Sequence, residues 1–267
     1  METPTSATYA VSRSRGKQPG ESLYTSKLRE RRKAKGDARS SDESESETEI
    51  EPAVGEAEAL RVAAHAEIPA PRLLDVCTTS EGQGHIRMDY IQGQPLDKLW
   101  PEMPAEQKKD IARQLRGIVE KMRSVAPPPQ LIGACDATEI RDTRVHFTYH
   151  YPPCRDEKGF NEFLLSALYE QTPPLIREAF SRRLRTNHRI VLSHCDLAPR
   201  NILVKDGKIQ GLVDWEDSGW YPEYWEYVKF FQRFADNDWK QYAEDIFPEL
   251  YHDELVDYIA LSRWQKS

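Results

Sequence analysis

The stretch LSHCDLAPRNILVKDGKIQGLVDWED, residues 192–217, sets a histidine, an asparagine and several aspartates around one short apolar hairpin. Asp206-Gly207, between NILVK and KIQGLV, favours a two-residue type I′ turn, because both central positions of that turn need positive φ. Pairing Lys205 with Lys208 sets Asn201 opposite Leu212 and carries Asp214 two residues further along the same face. By ordinary cross-strand spacing the Cβ atoms of Asn201 and Asp214 then lie on the order of 7 Å apart. A bulge at Gly211 would shift this register by one residue.

Upstream, RIVLS (189–193) is an apolar, β-branched strand that runs into the tight polar loop HCDLAPRN, so Asp196 leaves a strand end five residues before Asn201. Taken singly, Asp196 and Asn201 read as turn residues and Asp214 as a strand terminator. Together they divide a chemical task. One carboxylate can take the proton of a hydroxyl, while the other and an amide oxygen hold a hard cation such as Mg²⁺. Phosphoryl transfer needs that division, because the attacking hydroxyl must be oriented while charge on the phosphates is neutralised.

The chain around this stretch has 267 residues, 39% of them hydrophobic, with six Trp and twelve Tyr, enough to fill a sizeable core. A formal net charge of -7 excludes a dedicated nucleic-acid binder, which grips phosphates through a dense Lys/Arg surface. Four well-separated cysteines, Cys77, Cys135, Cys154 and Cys195, offer neither a zinc motif nor a compact disulfide framework. No signal-peptide core or membrane-length apolar run is legible, so the expected location is cytoplasmic, with the nucleus as alternative through the basic run KLRERRKAKG (27–36). That run, followed by the acidic SSDESESETEIE (40–51), predicts a disordered polyampholyte tail over residues 1–54.

Order is expected from Gly55. GEAEALRVAAHAE puts Ala57, Leu60 and Ala64 on one helical stripe that Ile68-Pro69 ends, and RLLDVC and GHIRMDYI read as two strands around TTSEGQG. Residues 103–125 place Ile111, Leu115, Ile118, Val119 and Met122 on one face of an amphipathic helix. APPPQ (126–130) breaks the chain, and the stretch to Pro153 reads as irregular. Helices are expected over 160–170, 174–185, 225–234, 239–247 and 253–264.

HCDLAPRN matches the H-x-D-x-x-x-x-N loop of the protein-kinase-like superfamily. LVDWEDSGWYPEYWEYVK (212–229), EAEALRVAAHAEIPAPRLLDV (56–76), IRMDYIQGQPLDKLW (86–100) and QLRGIVEKMRS (114–124) resemble aminoglycoside phosphotransferase and choline-kinase-like proteins, particularly a large fungal branch, over residues 55–267. Trp215-Glu216 after Asp214, in place of Phe-Gly, and the lack of an A-P-E segment set the chain apart from protein kinases.

The resemblance implies an α+β, protein-kinase-like two-lobe fold. A remnant amino-terminal lobe and hinge would span 55–95 and a mainly helical carboxy-terminal lobe 96–267. It implies Asp196 as catalytic base, Asn201 and Asp214 as holders of Mg²⁺ against the phosphates of ATP, and His194 as a brace for the loop. Met88, Asp89 and Tyr90 would form the adenine hinge, and Glu56 the helix carboxylate that pairs with a phosphate-binding lysine. Trp220, Tyr221, Pro222 and Trp225 would pack the helical lobe. The lysine strand and its phosphate-covering loop are not legible: the nearest upstream cations are Arg39 and Lys35, with Glu49 and Glu51 where a cation should stand. The small lobe is therefore expected to be incomplete, with the sheet edge near Leu73, Leu74 and Ile86 left open.

Three functions follow. The first is an ATP-dependent kinase of a small-molecule hydroxyl, the second a nucleotide- or partner-binding relative without turnover, and the third a Ser/Thr protein kinase. The acceptor pocket is expected between 130–155 and the helices from Phe160. Glu216, Asp217, Glu223 and Glu226 there suggest a cationic acceptor, although a solvated helix start explains Glu223 and Glu226 as well.

Overall fold

The computed structural model describes residues 9–10, 51–78, 84–144 and 147–265. Most of the expected tail lies outside these residues, and so do the loop tip at 79–83 and residues 145–146.

Helix α1 (Glu51–His65) starts four residues before the expected Gly55. It buries Ala57, Ala59, Leu60 and Ala63, whereas Ala64 is exposed, so the inward stripe runs one residue earlier than Ala57-Leu60-Ala64 predicts. The helix stops before the proline is reached. Glu67 takes a left-handed φ of 53°, and the Ile68 N–H returns to the Ala63 carbonyl at 2.9 Å, satisfying carbonyls the last turn would leave bare.

The strands β2 (Leu73–Thr78) and β3 (Gly84–Met88) pair antiparallel as expected. A two-residue strand β1 (Tyr9–Ala10) pairs with Met88 and Arg87 on the other side of β3. That pairing corrects one expectation and trims another. Tyr9 and Ala10 form a strand within the stretch read as tail, and β1 covers the edge of β3 at Arg87 and Met88, leaving β1 and β2 as the outer strands among the described residues.

From β3 the chain turns through Asp89, whose N–H donates to the Arg72 carbonyl at 3.0 Å and whose carboxylate accepts from the Arg72 N–H. It then enters β4 (Gln94–Pro95), helix α2 (Leu96–Leu99) and the long helix α3 (Ala105–Ser124). The α3 face is the predicted one: Ile111, Leu115, Ile118, Val119 and Met122 are all buried. Each such burial contributes roughly 1.5–3 kcal/mol relative to exposure.

Residues 130–155 are more regular than predicted. They hold β5 (Gly133–Ala134) and a hairpin of β6 (Ile140–Thr143) with β7 (Thr148–Tyr151). Helices α4 (Glu157–Ser166) and α5 (Pro174–Arg183) follow, and Asp156 caps α4 by accepting from the Gly159 N–H at 2.9 Å. The site-bearing stretch then supplies β8 (Ile190–Ser193), β9 (Ile202–Lys205) and β10 (Lys208–Leu212).

A strand absent from the sequence reading, β11 (Gly219–Pro222), lies between β8 and β5. Gly219 is required there: a Cβ would stand 2.3 Å from the Gly133 carbonyl oxygen. Helix α6 (Trp225–Gln232) is followed by α7 (Asn237–Lys240), α8 (Ala243–Ile246) and α9 (His252–Ser262), so the single helix expected over 239–247 is two short ones.

Two apolar clusters result. The first joins α1 and α3 to Ile202, Leu212, Trp215, Trp220 and Trp239. The second packs Phe160, Phe163, Tyr221, Trp225, Tyr258 and Leu261. Trp220, Tyr221, Pro222 and Trp225 are buried, as packing residues should be. No helix among the described residues is long and apolar enough to cross a membrane.

Candidate active site

Asp206 and Gly207 take φ of 50° and 71°, the pair of positive values a type I′ turn demands. Lys208 faces Lys205 as expected, but a bulge between Ile209 and Gly211 moves the ladder by one, so Leu212 faces Ile202 and not Asn201. The Val213 N–H then donates to the Asn201 carbonyl at 2.9 Å, which makes Asp214 the residue that leaves the ladder beside Asn201. Asp214 leaves it with a left-handed φ of 67°. A non-glycine residue there costs free energy unless its surroundings enforce it, and such residues gather at functional sites.

The other half of the site is the loop after β8. Residues 193–199 are all buried, and Cys195 has a φ of 65°. What holds it there is Glu226, at the first turn of α6. Its carboxylate accepts from the N–H groups of His194 and Cys195, the latter at 3.1 Å from each oxygen. Glu226 is thus 2% exposed and far from a solvated helix start, which corrects that expectation. Burial raises its carboxyl to about 7 against those two stabilising donors.

His194 braces the same loop. Its Nδ1 accepts from the Asp196 N–H at 3.2 Å, its ring packs edge-on against Trp215 with centroids 4.7 Å apart, and its carbonyl accepts from Ser218 at 3.2 Å. Burial holds the imidazole down to about 4, so it stays neutral.

Asp196 and Asn201 meet directly, the Asn201 Nδ2 donating to the Asp196 carbonyl at 3.1 Å. Spending its amide nitrogen inward leaves Asn201 with its oxygen as the end available to a cation. The Asp196 side chain is 8% exposed and paired with Arg200, while Arg233 Nε stands 3.5 Å from its other oxygen.

Arg233 is shared. It donates to the Cys195 carbonyl at 2.9 Å and to Asp217, which also meets Arg141 at 3.0 Å and Thr143 at 2.8 Å. Burial alone would raise the Asp217 carboxyl, but Arg233, Arg141 and Thr143 together hold it below its ordinary value. Glu216 lies 3.5 Å from Arg141, and Glu223 pairs with the Arg189 guanidinium at 2.8 Å. The acids read as a lure for a cationic acceptor therefore all face donors of this chain.

Deeper still, Lys229 on α6 donates to Asp142 at 2.6 Å and to the Thr143 carbonyl at 2.7 Å, with exposures of 1% for Lys229 and 0% for Asp142. Arg144 and Tyr258 also donate to Asp142, and the first holds its ring-side partner Tyr149 at 4.4 Å. Burial pushes the Asp142 carboxyl up, yet Lys229 and Arg144 overcome it and hold it to about 2. Glu226, Lys229 and Arg233 are thus three tethers from one stretch of chain to the loop and the β6–β7 hairpin. Sequence reading missed Lys229 and Arg233. Their local trace is only that Glu226 and Lys229 interrupt the otherwise apolar run WEYVKFF.

On the nucleotide side, Glu56 and Met88 are partly buried and Tyr90 is 59% exposed. The Asp89 carboxylate accepts from the Arg72 N–H and stands 3.5 Å from the Arg72 guanidinium. The described strands β2 and β3 contain Arg87 and no lysine.

A magnesium ion fits the residues present. Asn201 and Asp214 offer hard oxygen donors, and among the described residues no group of three or more His, Cys, Asp or Glu could form a self-sufficient metal cage. Mg²⁺ is commonly held by one or two protein oxygens together with substrate phosphates.

Comparison with known proteins bears on the fold and the family. No curated protein matches in sequence. Among solved structures, the chain is similar to a thermostable mutant of aminoglycoside phosphotransferase APH(4)-Ia in its apo form, at TM-score 0.52 and 16% identity over 78% of this chain and 73% of that one. It is also similar to the GDP complex of wild-type aminoglycoside 2'-phosphotransferase-IIIa (TM-score 0.53, 16% identity, 79% and 71% covered) and to aminoglycoside-3'-phosphotransferase of type VIII (0.50, 16%, 80% and 80%). These likenesses show the protein-kinase-like fold and single out no branch of the family. The model of the phosphotransferase enzyme family matches residues 39–256, and the chain belongs to that family.

Proposed function

We propose that the protein transfers the γ-phosphoryl group of ATP to the hydroxyl of a small molecule. Asp196 orients the hydroxyl and takes its proton as the new O–P bond forms and the bond to ADP breaks. Asn201 and Asp214 hold Mg²⁺, which supplies the positive charge the phosphates need. Met88, Asp89 and Tyr90 line the adenine through main-chain groups, and Glu56 on α1 is the carboxylate that would pair with a phosphate-binding cation. Among the solved relatives, one is a ternary complex with ADP and hygromycin B, and another a complex with GDP and kanamycin, which supports a nucleotide and a hydroxylated acceptor here. The free thiols of Cys77, Cys135, Cys154 and Cys195 suit a reducing compartment, cytoplasmic or nuclear.

The observation that carries this reading is the tethering of Asp196 next to Asn201, its carboxylate paired with two guanidiniums and its backbone fixed by His194. ATP consumption measured over a panel of hydroxylated metabolites tests it. The expected result is Mg-dependent turnover that Asp196→Asn lowers by about a thousandfold, within the usual range for a general base. Equal silence of wild type and variant contradicts it.

The second reading, nucleotide binding without turnover, is favoured by one feature, the lack of a lysine on β2 and β3. Calorimetric binding of nucleotide with no phosphorylated acceptor is its signature.

A further inference from the structure

The acids around Asp196 are matched by arginines. Asp196 is met by Arg200 and Arg233, Asp217 by Arg233 and Arg141, and Glu216 by Arg141. Three carboxylates stand against three guanidiniums, so these groups carry no surplus negative charge. A polycationic acceptor would have to break pairs that are already desolvated, with Asp196 and Asp217 at 8% and 4% side-chain exposure.

The three arginines are not equivalent. Arg141 and Arg233 are 13% and 11% exposed and spend their donors inward, whereas Arg200 is 44% exposed. Arg200 sits in the short turn Pro199–Asn201, which folds it back over Asp196. One of its Nη groups meets the Asp196 carboxylate and the other donates weakly, at 3.4 Å, to the Phe234 carbonyl. A guanidinium has five N–H donors in a planar fork, so most of those of Arg200 remain for a ligand. Phe234 beside it is 91% exposed, giving the same spot an apolar flank.

We propose that the acceptor carries an anionic group, a carboxylate or a phosphate monoester, close to its reacting hydroxyl, and that Arg200 binds that group while Asp196 takes the hydroxyl. The inference rests on the phosphotransferase reading and deepens it by naming the acceptor class. Arg200 is then a specificity-determining residue, gripping through a bidentate fork that lysine reproduces only in part.

The test compares three acceptor sets in the ATP-consumption assay: hydroxy acids and sugar phosphates, neutral polyols, and the aminoglycosides kanamycin and hygromycin B. Turnover is expected with the anionic set, and the preference between carboxylates and phosphates identifies the group. Arg200→Gln should raise KM for the anionic acceptor by about tenfold or more with a smaller change in kcat, and Arg200→Lys should recover part of the loss. Preferred turnover of an aminoglycoside or of a neutral polyol overturns the inference while leaving the phosphotransferase reading intact. So does an Arg200→Gln variant that loses kcat at unchanged acceptor KM, or one whose defect lies in the KM for ATP. If no acceptor is phosphorylated, that reading fails, and calorimetric titration of glycerate and glycerol 3-phosphate decides Arg200 separately. Binding lost in Arg200→Gln upholds it as an anion site, and absent or unchanged binding overturns it.

Discussion

The loop from Ser193 to Pro199 and the strands β2 and β3 are built to different densities. Every residue of the loop is buried, and its backbone is tied by Glu226, His194, Arg233 and Asn201. In the small sheet Leu74 and Val76 are 44% and 36% exposed, and Ile86 is the buried residue. Its ion pairs, Arg87 with Asp75 and Arg72 with Asp89, lie in solvent. Exposed pairs contribute little, whereas a carboxylate fixed by buried donors is preorganised for the reaction. Rigidity is concentrated where a proton and a phosphoryl group would move.

Lys229→Met should expose this contrast most strongly. It leaves Asp142 with Arg144 as its one remaining cation, and removing one partner of a buried pair costs up to about 3–5 kcal/mol. Chemical denaturation would show that loss. A loss below about 1 kcal/mol would mean that Arg144 and Tyr258 already satisfy Asp142.

The paired titrations of His194 and Glu226 give the next effect. Folded Glu226 keeps its proton up to about 7, against 4.5 when unfolded, so its contribution to stability grows as pH falls through that window. Folded His194 refuses a proton until about 4, against 6.5 unfolded, so its contribution shrinks as pH falls from 6.5. Each slope is about 1.4 kcal/mol per pH unit, and between pH 4.5 and 6.5 they oppose one another. His194→Asn removes one of them. Relative to wild type, the variant should therefore gain melting temperature on acidification across that window, and parallel profiles would show that His194 is not held neutral.

Gly219→Ala comes third, at about 1–3 kcal/mol, because the added methyl runs into the backbone of β5 and the buried ring of Tyr221. In the small sheet, Leu74→Ser should change stability by less than about 0.5 kcal/mol. An effect as large as that of Gly219→Ala would mean that this face is covered in solution, and the contrast between the regions would narrow.

The same contrast separates what could be read in the sequence from what could not. The hairpin was legible because Asp206-Gly207 fixes its own turn, and α3 because its stripe repeats over about three turns. Local chemistry suffices for both. The bulge that shifts Leu212 onto Ile202 was an open alternative, and it leaves Gln210 as the extra residue while Gly211 pairs with Leu203. Glu226, Lys229 and Asp217 were not legible as buried groups, since their partners lie 16 to 87 residues away and a charge at a helix start normally faces water. The strands β5 and β11 were missed for a related reason. They are two and four residues long, and pairing with distant strands, rather than any alternating pattern of their own, makes them strands.

Nucleotide binding with and without magnesium, followed by calorimetry in wild type and Asp214→Asn, tests most directly whether Asn201 and Asp214 form the cation-holding edge of a phosphoryl-transfer site. ATP should bind wild type in a Mg²⁺-dependent way, and the substitution should weaken that binding by about tenfold or more. Binding that is indifferent to both the metal and the substitution would contradict it.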